Sequence, residues 1–244
     1  MRLVLAATLL IAIVACGGVG KREIVVSAAA SLTDAFADIE VAFEEAHPGE
    51  DVVLNLAGSS SLREQILEGA PVDVFASADE SNMDDVVAAG ETMGEPATFA
   101  VNFLQIAVPG GNPAGIVGLE DFANEELLIG VCAEEVPCGD LARQALGKAG
   151  VTPSIDTHEP DVRALLTRVE AGELDAAITY VTDVASAEEA VDGIEIPDTA
   201  NVAAEYTIAV LARAVDQEAA GAFIEFVRSG EGQGIMGEHG FASP

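Results

Sequence analysis

Positive charge is scarce in this chain: 244 residues carry 10 Lys and Arg against 42 Asp and Glu, a formal charge of −32, and Lys21 and Lys148 are the two lysines. A surface of that sign repels polyanions, so nucleic acid and anionic membrane surfaces are poor partners, and no nucleic-acid partner is expected. Histidine is sparse as well. His47, His158 and His239 stand singly, and no His-x-x-His or Cys-x-x-Cys spacing is present, which leaves a zinc ion without a ligand set. There is no G-x-S-x-G elbow, and no S-x-x-K begins at Ser31, Ser59, Ser60 or Ser61. The familiar serine nucleophile arrangements are therefore missing, and the chain reads as a non-enzyme, with a secreted hydrolase as the weaker alternative. Half the residues are apolar, which rules out a disordered chain and allows one large domain or two of roughly 100 residues each.

Long apolar runs are also few. Leu3 to Val14 is broken only by Thr8 and is too short to span a bilayer; behind Met1-Arg2 it has the length of a signal-peptide core. Ile13-Val14-Ala15-Cys16 then resembles a bacterial lipobox, cut just before a cysteine that takes lipid, and Gly17-Gly18-Val19-Gly20 follows as a tether. Residues 1–15 are thus expected to be removed and 16–23 to form a lipidated tether, with the chain held on the outer face of the cytoplasmic membrane through Cys16. An ordinary signal peptide and a soluble periplasmic protein is the alternative. Losing Arg2 leaves 9 basic against 42 acidic side chains, a balance of −33.

With Cys16 acylated, Cys132 and Cys138 remain as an even pair in an oxidising compartment. A disulfide closing that short loop is expected, and a metal pair is the second reading.

Beyond the tether, strand and helix patterns alternate as in a parallel sheet covered by helices. Strands are expected at 24–30, 51–56, 72–76, 103–108, 127–132, 176–181 and 206–212. Helices are expected at 32–46, 62–68, 84–89, 140–148, 162–171 and 219–228. Pro109-Gly110-Gly111-Asn112-Pro113 is the strongest turn cluster and a plausible domain boundary. Two α/β lobes fit better than one.

Four of these helices open on residues suited to a helix start: Ser31, Ser59-Ser60-Ser61, Pro137-Cys138-Gly139 and Pro160-Asp161-Val162. Helix N-termini carry unpaired N–H groups and partial positive charge, so several converging on one cleft could hold an anion without a cationic side chain. Ser31-Leu32-Thr33-Asp34 and Ser61-Leu62-Arg63-Glu64 also match the capping box, and on that reading Ser31 and Ser61 are caps while Ser59 and Ser60 are surplus hydroxyls.

The segments Ala28-Ala29-Ala30-Ser31-Leu32-Thr33-Asp34-Ala35-Phe36, Ser59-Ser60-Ser61-Leu62 with Gln65-Ile66, and Gly69 to Asp79 resemble the molybdate-binding proteins of bacterial molybdate ABC transporters. Val136-Pro137-Cys138-Gly139, Glu159-Pro160-Asp161-Val162-Arg163, Val169 to Ala176, Tyr180-Val181-Thr182-Asp183 and Gly240-Phe241 continue the likeness in order.

The resemblance implies an α/β, two-lobed type 2 periplasmic-binding-protein fold with a ligand cleft and two crossover segments. Residues 24–104 with 207–244 would form one lobe and 105–206 the other. It also implies a monomer that binds molybdate or tungstate, uses no cofactor and delivers its ligand to a membrane permease. Carried over by position, the contacts are Ser31, Ser59, Cys138, Val162 and Tyr180, with Ser60 an alternative to Ser59. Molybdenum is held only as its oxyanion, with no direct cation ligands. Cys138 stands where a small residue such as alanine is usual, and Asp140-Leu141 replaces a frequent tyrosine. A backbone contact tolerates the first change. A receptor for another tetrahedral oxyanion such as sulfate, and a surface adhesion or sensor lipoprotein, remain rival readings.

Overall fold

The computed structural model describes residues 21–244; the signal segment, Cys16 and the tether up to residue 20 lie outside the described residues. The first half of the fold runs β1 (Arg22–Ala29), α1 (Thr33–Ala46), β2 (Glu50–Ala57), α2 (Ser59–Leu67), β3 (Val74–Ser77) and α3 (Glu80–Ala88). β1 lies between β2 and β3, parallel to both, with Val26 opposite Leu54 on one side and Val74 on the other. A strand covered by sheet neighbours and helices must be apolar on both faces, and Val26, Ala28 and Ala29 are buried accordingly.

β4 (Ala97–Pro109) leads into β5 (Ile129–Cys132), α4 (Pro137–Ala149), β6 (Thr157–Glu159), α5 (Val162–Glu170), β7 (Ala176–Tyr180), α6 (Val181–Ser186) and β8 (Val191–Glu195). The chain then returns through β9 (Ala203–Val210) to α7 (Gln217–Val227) and α8 (Gly230–Glu238). β5 is parallel to β6 and β7. The α1 and α7 faces lock through Phe43 and Phe223, whose rings pack edge to face at 5.3 Å.

Parallel pairing therefore holds within each half, as the alternation predicts, but the sheet as a whole is mixed. β9 runs antiparallel to β3 and to the first part of β4, while the second part of β4 is antiparallel to β7 and β8. β4 changes partner between Phe103, opposite Ala203, and Leu104, opposite Tyr180. There Asn201 stands in for a strand neighbour, accepting from the Leu104 N–H at 3.1 Å and donating to its carbonyl at 2.9 Å. The two halves are lobes joined by two crossing segments. The Pro109–Pro113 turn closes β4, and the crossing itself lies inside the strand, where hydrophobic pattern gives no signal.

The sequence reading omits β6, α6, β8, α8 and the start of β4. α8 contains Gly230, Gly232, Gly234 and Gly237, each weakening a helix by about 1 kcal/mol relative to alanine. Contacts with α1 and α7 hold it instead: a Cβ on Gly232 would lie 2.2 Å from the Phe226 carbonyl oxygen.

Candidate functional site

The carboxyl end of β1 passes into a short 3-10 turn, Ala30–Leu32, which runs straight into α1. The Thr33 N–H bonds back to the Ala30 carbonyl, so the turn itself satisfies the start of the helix. Ser31 makes no capping bond, contrary to the capping-box expectation. Its Oγ lies 2.7 Å from Tyr206 Oη on β9.

The serine triplet also departs from the capping-box expectation. α2 begins at Ser59 with Gly58 as its N-cap, which places Ser61 inside the first turn, exposed and not capping. Ser59 is buried, and its Oγ accepts the Ala78 N–H at 3.0 Å, tying α2 to the segment after β3. That bond leaves the hydroxyl proton free to donate elsewhere.

Three more positions come from the other lobe. Pro137 opens α4, where its missing N–H costs nothing, and Cys138 follows in the first turn. Cys138 is joined by a disulfide to Cys132 at the end of β5. Gly139 is required by this tight return, since a Cβ there would lie 2.0 Å from the Ala133 carbonyl oxygen. Val162 opens α5, capped by Asp161, whose carboxylate accepts the Ala164 N–H at 2.8 Å. Tyr180 ends β7 at the N-cap of α6, where its N–H donates to Asp183 at 3.0 Å.

Ser31, Ser59, Cys138, Val162 and Tyr180 all line one small cavity, with Gly58 and Asp161 beside them. Ser59 is in this wall and Ser60, also buried, is not. Among the described residues the Tyr180 hydroxyl is buried with no partner at hydrogen-bond geometry, and the phenol that interacts with it is that of Tyr206, whose ring packs edge-on at 6.2 Å. A buried polar group left alone costs about 1–3 kcal/mol, so this one is suited to a bound acceptor. Burial raises the Tyr180 phenol well above its ordinary range, and it raises that of Tyr206 too, so both keep their protons at neutral pH.

The carboxylates nearby are engaged. Asp161 caps α5, and Asp34 pairs with Arg163 at 3.0 Å. Asp183 is fully buried, and burial lifts its carboxyl to about 7 against the opposing pull of the Tyr180 N–H and the Arg163 guanidinium. The cavity wall thus gathers the hydroxyl-bearing Ser31, Ser59 and Tyr180 and residues at the starts of α2, α4 and α5, with the Asp161 carboxylate beside them.

Sequence reasoning missed Gly58, Tyr206 and the Asp34–Arg163 pair. Gly58 adjoins the serine triplet, which could have flagged it. The other two have no local signal.

The model of the bacterial extracellular solute-binding protein family matches residues 24–242. The chain is 39% identical over 225 residues to the molybdate-binding protein ModA of Mycobacterium tuberculosis, covering 92% of this chain and 86% of that protein. Among solved structures it is similar to the periplasmic molybdate-binding protein of Azotobacter vinelandii, at 19% identity and a TM-score of 0.79, covering 91% of this chain and 99% of that one. It is also similar to the sulfate-binding protein SubI of M. tuberculosis, at 18% identity and a TM-score of 0.82, covering 91% and 87%. At those identities the two structures speak to the fold alone: two-lobed, with a cleft between the lobes. The chain belongs to the bacterial extracellular solute-binding protein family.

Proposed function

We propose that this protein captures molybdate, and tungstate with it, outside the cytoplasmic membrane and hands it to the permease of an ABC transporter. The observation that carries the reading is the orphaned, buried Tyr180 hydroxyl in a cavity also walled by Ser31, Ser59 and three helix starts. The ModA likeness over 92% of the chain supports the choice of ligand. In this reading Ser31, Ser59 and Tyr180 donate hydroxyl protons, while Cys138 and Val162 donate backbone N–H groups. The lobes are 24–104 with 207–244 and 105–206. The chain acts as a monomer without a cofactor and catalyses nothing, and lipid on Cys16 keeps it at the membrane.

The donor set also accounts for selectivity against phosphate. Hydrogen phosphate carries a proton that needs an acceptor; Asp34 is paired with Arg163 and one Asp161 oxygen caps α5, so the second Asp161 oxygen would have to turn inward to supply one. Leaving that proton unpaired costs about 1–3 kcal/mol, a roughly five- to hundredfold loss of affinity. Sulfate presents the same acceptors and charge as molybdate, so it is the second reading, and cavity size would have to separate the two.

One thermal-shift series with molybdate, tungstate, sulfate and phosphate tests the proposal. Ligand at about 100 times its Kd adds roughly 2.7 kcal/mol of stability. Molybdate and tungstate are expected to raise the melting temperature and phosphate to leave it unchanged. A shift with sulfate alone would move the assignment to sulfate, and turnover of an ester or phosphate substrate would overturn the binding role.

A further inference from the structure

Arg163 follows Val162 in the first turn of α5, and Asp34 lies in the first turn of α1, three residues beyond Ser31. The guanidinium Nη1 donates to Asp34 Oδ2 at 3.0 Å and to Ser186 Oγ at 2.8 Å. α1 packs on β2 in the first lobe, whereas α5 and α6 pack on β7 in the second. One cation therefore spans the cleft beside the proposed contacts. Asp34 and Ser186 also line a cavity of about 90 Å³, and Ser31 is shared between it and the cavity of the proposed contacts.

Neither helix needs the pair in order to fold. α1 is seated by Phe36, Ile39 and Phe43, and α5 by Leu165, Leu166 and Val169, all of them buried. The two side chains remain partly exposed, at 35% and 43%, so the bond is modest and is made only when the lobes are together. A contact present in the closed state and broken on opening slows opening, and it acts on ligand departure more than on arrival.

We propose that the Arg163–Asp34 bridge is a latch between the lobes that sets the dissociation rate of the bound anion; the role rests on the oxyanion-binding reading above. Arg163 and Asp34 are positioning residues that act through lobe closure. Their charges are opposite, which separates a latch from a general field effect. Weakening a dianion's surroundings electrostatically would make Arg163→Met bind worse and Asp34→Asn bind better, whereas breaking a latch makes both release faster.

The test is stopped-flow dissociation of molybdate from the wild type, Arg163→Met, Asp34→Asn, the double variant and Arg163→Lys. Arg163→Met and Asp34→Asn are each expected to release about two- to fivefold faster. The double variant should release no faster than either single, Arg163→Lys should recover most of the wild-type rate, and ligand-free melting temperatures should stay within about 2 °C. Opposite shifts for the two single variants, additive effects in the double variant, or unchanged rates in a wild type that binds molybdate would overturn the latch alone. A wild type that binds none of the four anions would overturn the binding reading and the latch with it.

Discussion

Gly58 and Pro160 meet across the cleft: a Cβ added to Gly58 would lie 2.7 Å from the Pro160 carbonyl oxygen. Gly58 belongs to the lobe of α2, and Pro160 precedes α5 in the other. The Gly58 backbone, at φ −59 and ψ 138, suits any residue, so what glycine provides here is closeness rather than an unusual conformation. Gly58→Ala is therefore expected to fold normally but to resist lobe closure. Overpacking of about 1–3 kcal/mol predicts a loss of molybdate affinity of about tenfold or more, with ligand-free stability little changed. Titration calorimetry that returns the wild-type affinity would show that the lobes can close without this contact.

Ser31 and Tyr206 act as a pair in the same cleft, 2.7 Å apart. Tyr206 can donate to Ser31 and so leave the serine proton for the ligand. If Ser31 donates to the anion as proposed, Ser31→Ala removes a hydrogen bond to a charged group and should weaken binding roughly ten- to hundredfold. Tyr206→Phe leaves the serine in place but without its orienting partner, and a smaller loss of about fivefold is expected. A larger effect from Tyr206→Phe than from Ser31→Ala would give Tyr206 the direct contact.

Asp183 makes stability depend on pH. Burial raises its carboxyl from an ordinary 3.8 to about 7, with Arg163 on α5 opposing the shift and Asp34 and Asp161 adding to it. The folded state holds this proton more tightly than the unfolded chain does. The resulting stabilisation is complete below about pH 4 and is lost as pH rises through about 7, on the order of 4 kcal/mol in all. Asp183→Asn keeps an acceptor for the Tyr180 N–H and cannot ionise. In urea unfolding, wild type should fall progressively below this variant between about pH 4 and 7 and then run parallel to it. A difference that stays flat across that range would place the titration elsewhere.

Net charge sets a fourth expectation. A dianion approaching a chain of −32 is repelled at long range, and salt screens that repulsion over about 8–10 Å at ordinary ionic strength. Association rates measured by stopped flow should rise with added sodium chloride. A clear fall would reveal a local positive field at the cleft mouth.

Short windows of sequence determined most of the elements, and the resemblance to molybdate-binding proteins singled out the five proposed contacts. The alternation of strands such as Val72 to Ala76 with helices such as Val162 to Ala171 reflects local hydrophobic period. The order of Ser31, Ser59, Cys138, Val162 and Tyr180 along the chain is a matter of motif, and the fold brings all five to one cavity. What those residues touch was decided by tertiary structure. Ser31 satisfies the capping pattern locally, yet its hydroxyl goes to Tyr206, 175 residues away, because the 3-10 turn has already used the donors a cap would take. Arg163 finds Asp34 at a separation of 129 residues, and Gly58 finds Pro160, only because β4 and β9 carry the chain out and back between the lobes. Propensity is a property of neighbours along the chain. Contacts across a cleft depend on the path by which the chain returns, and no local pattern encodes that path.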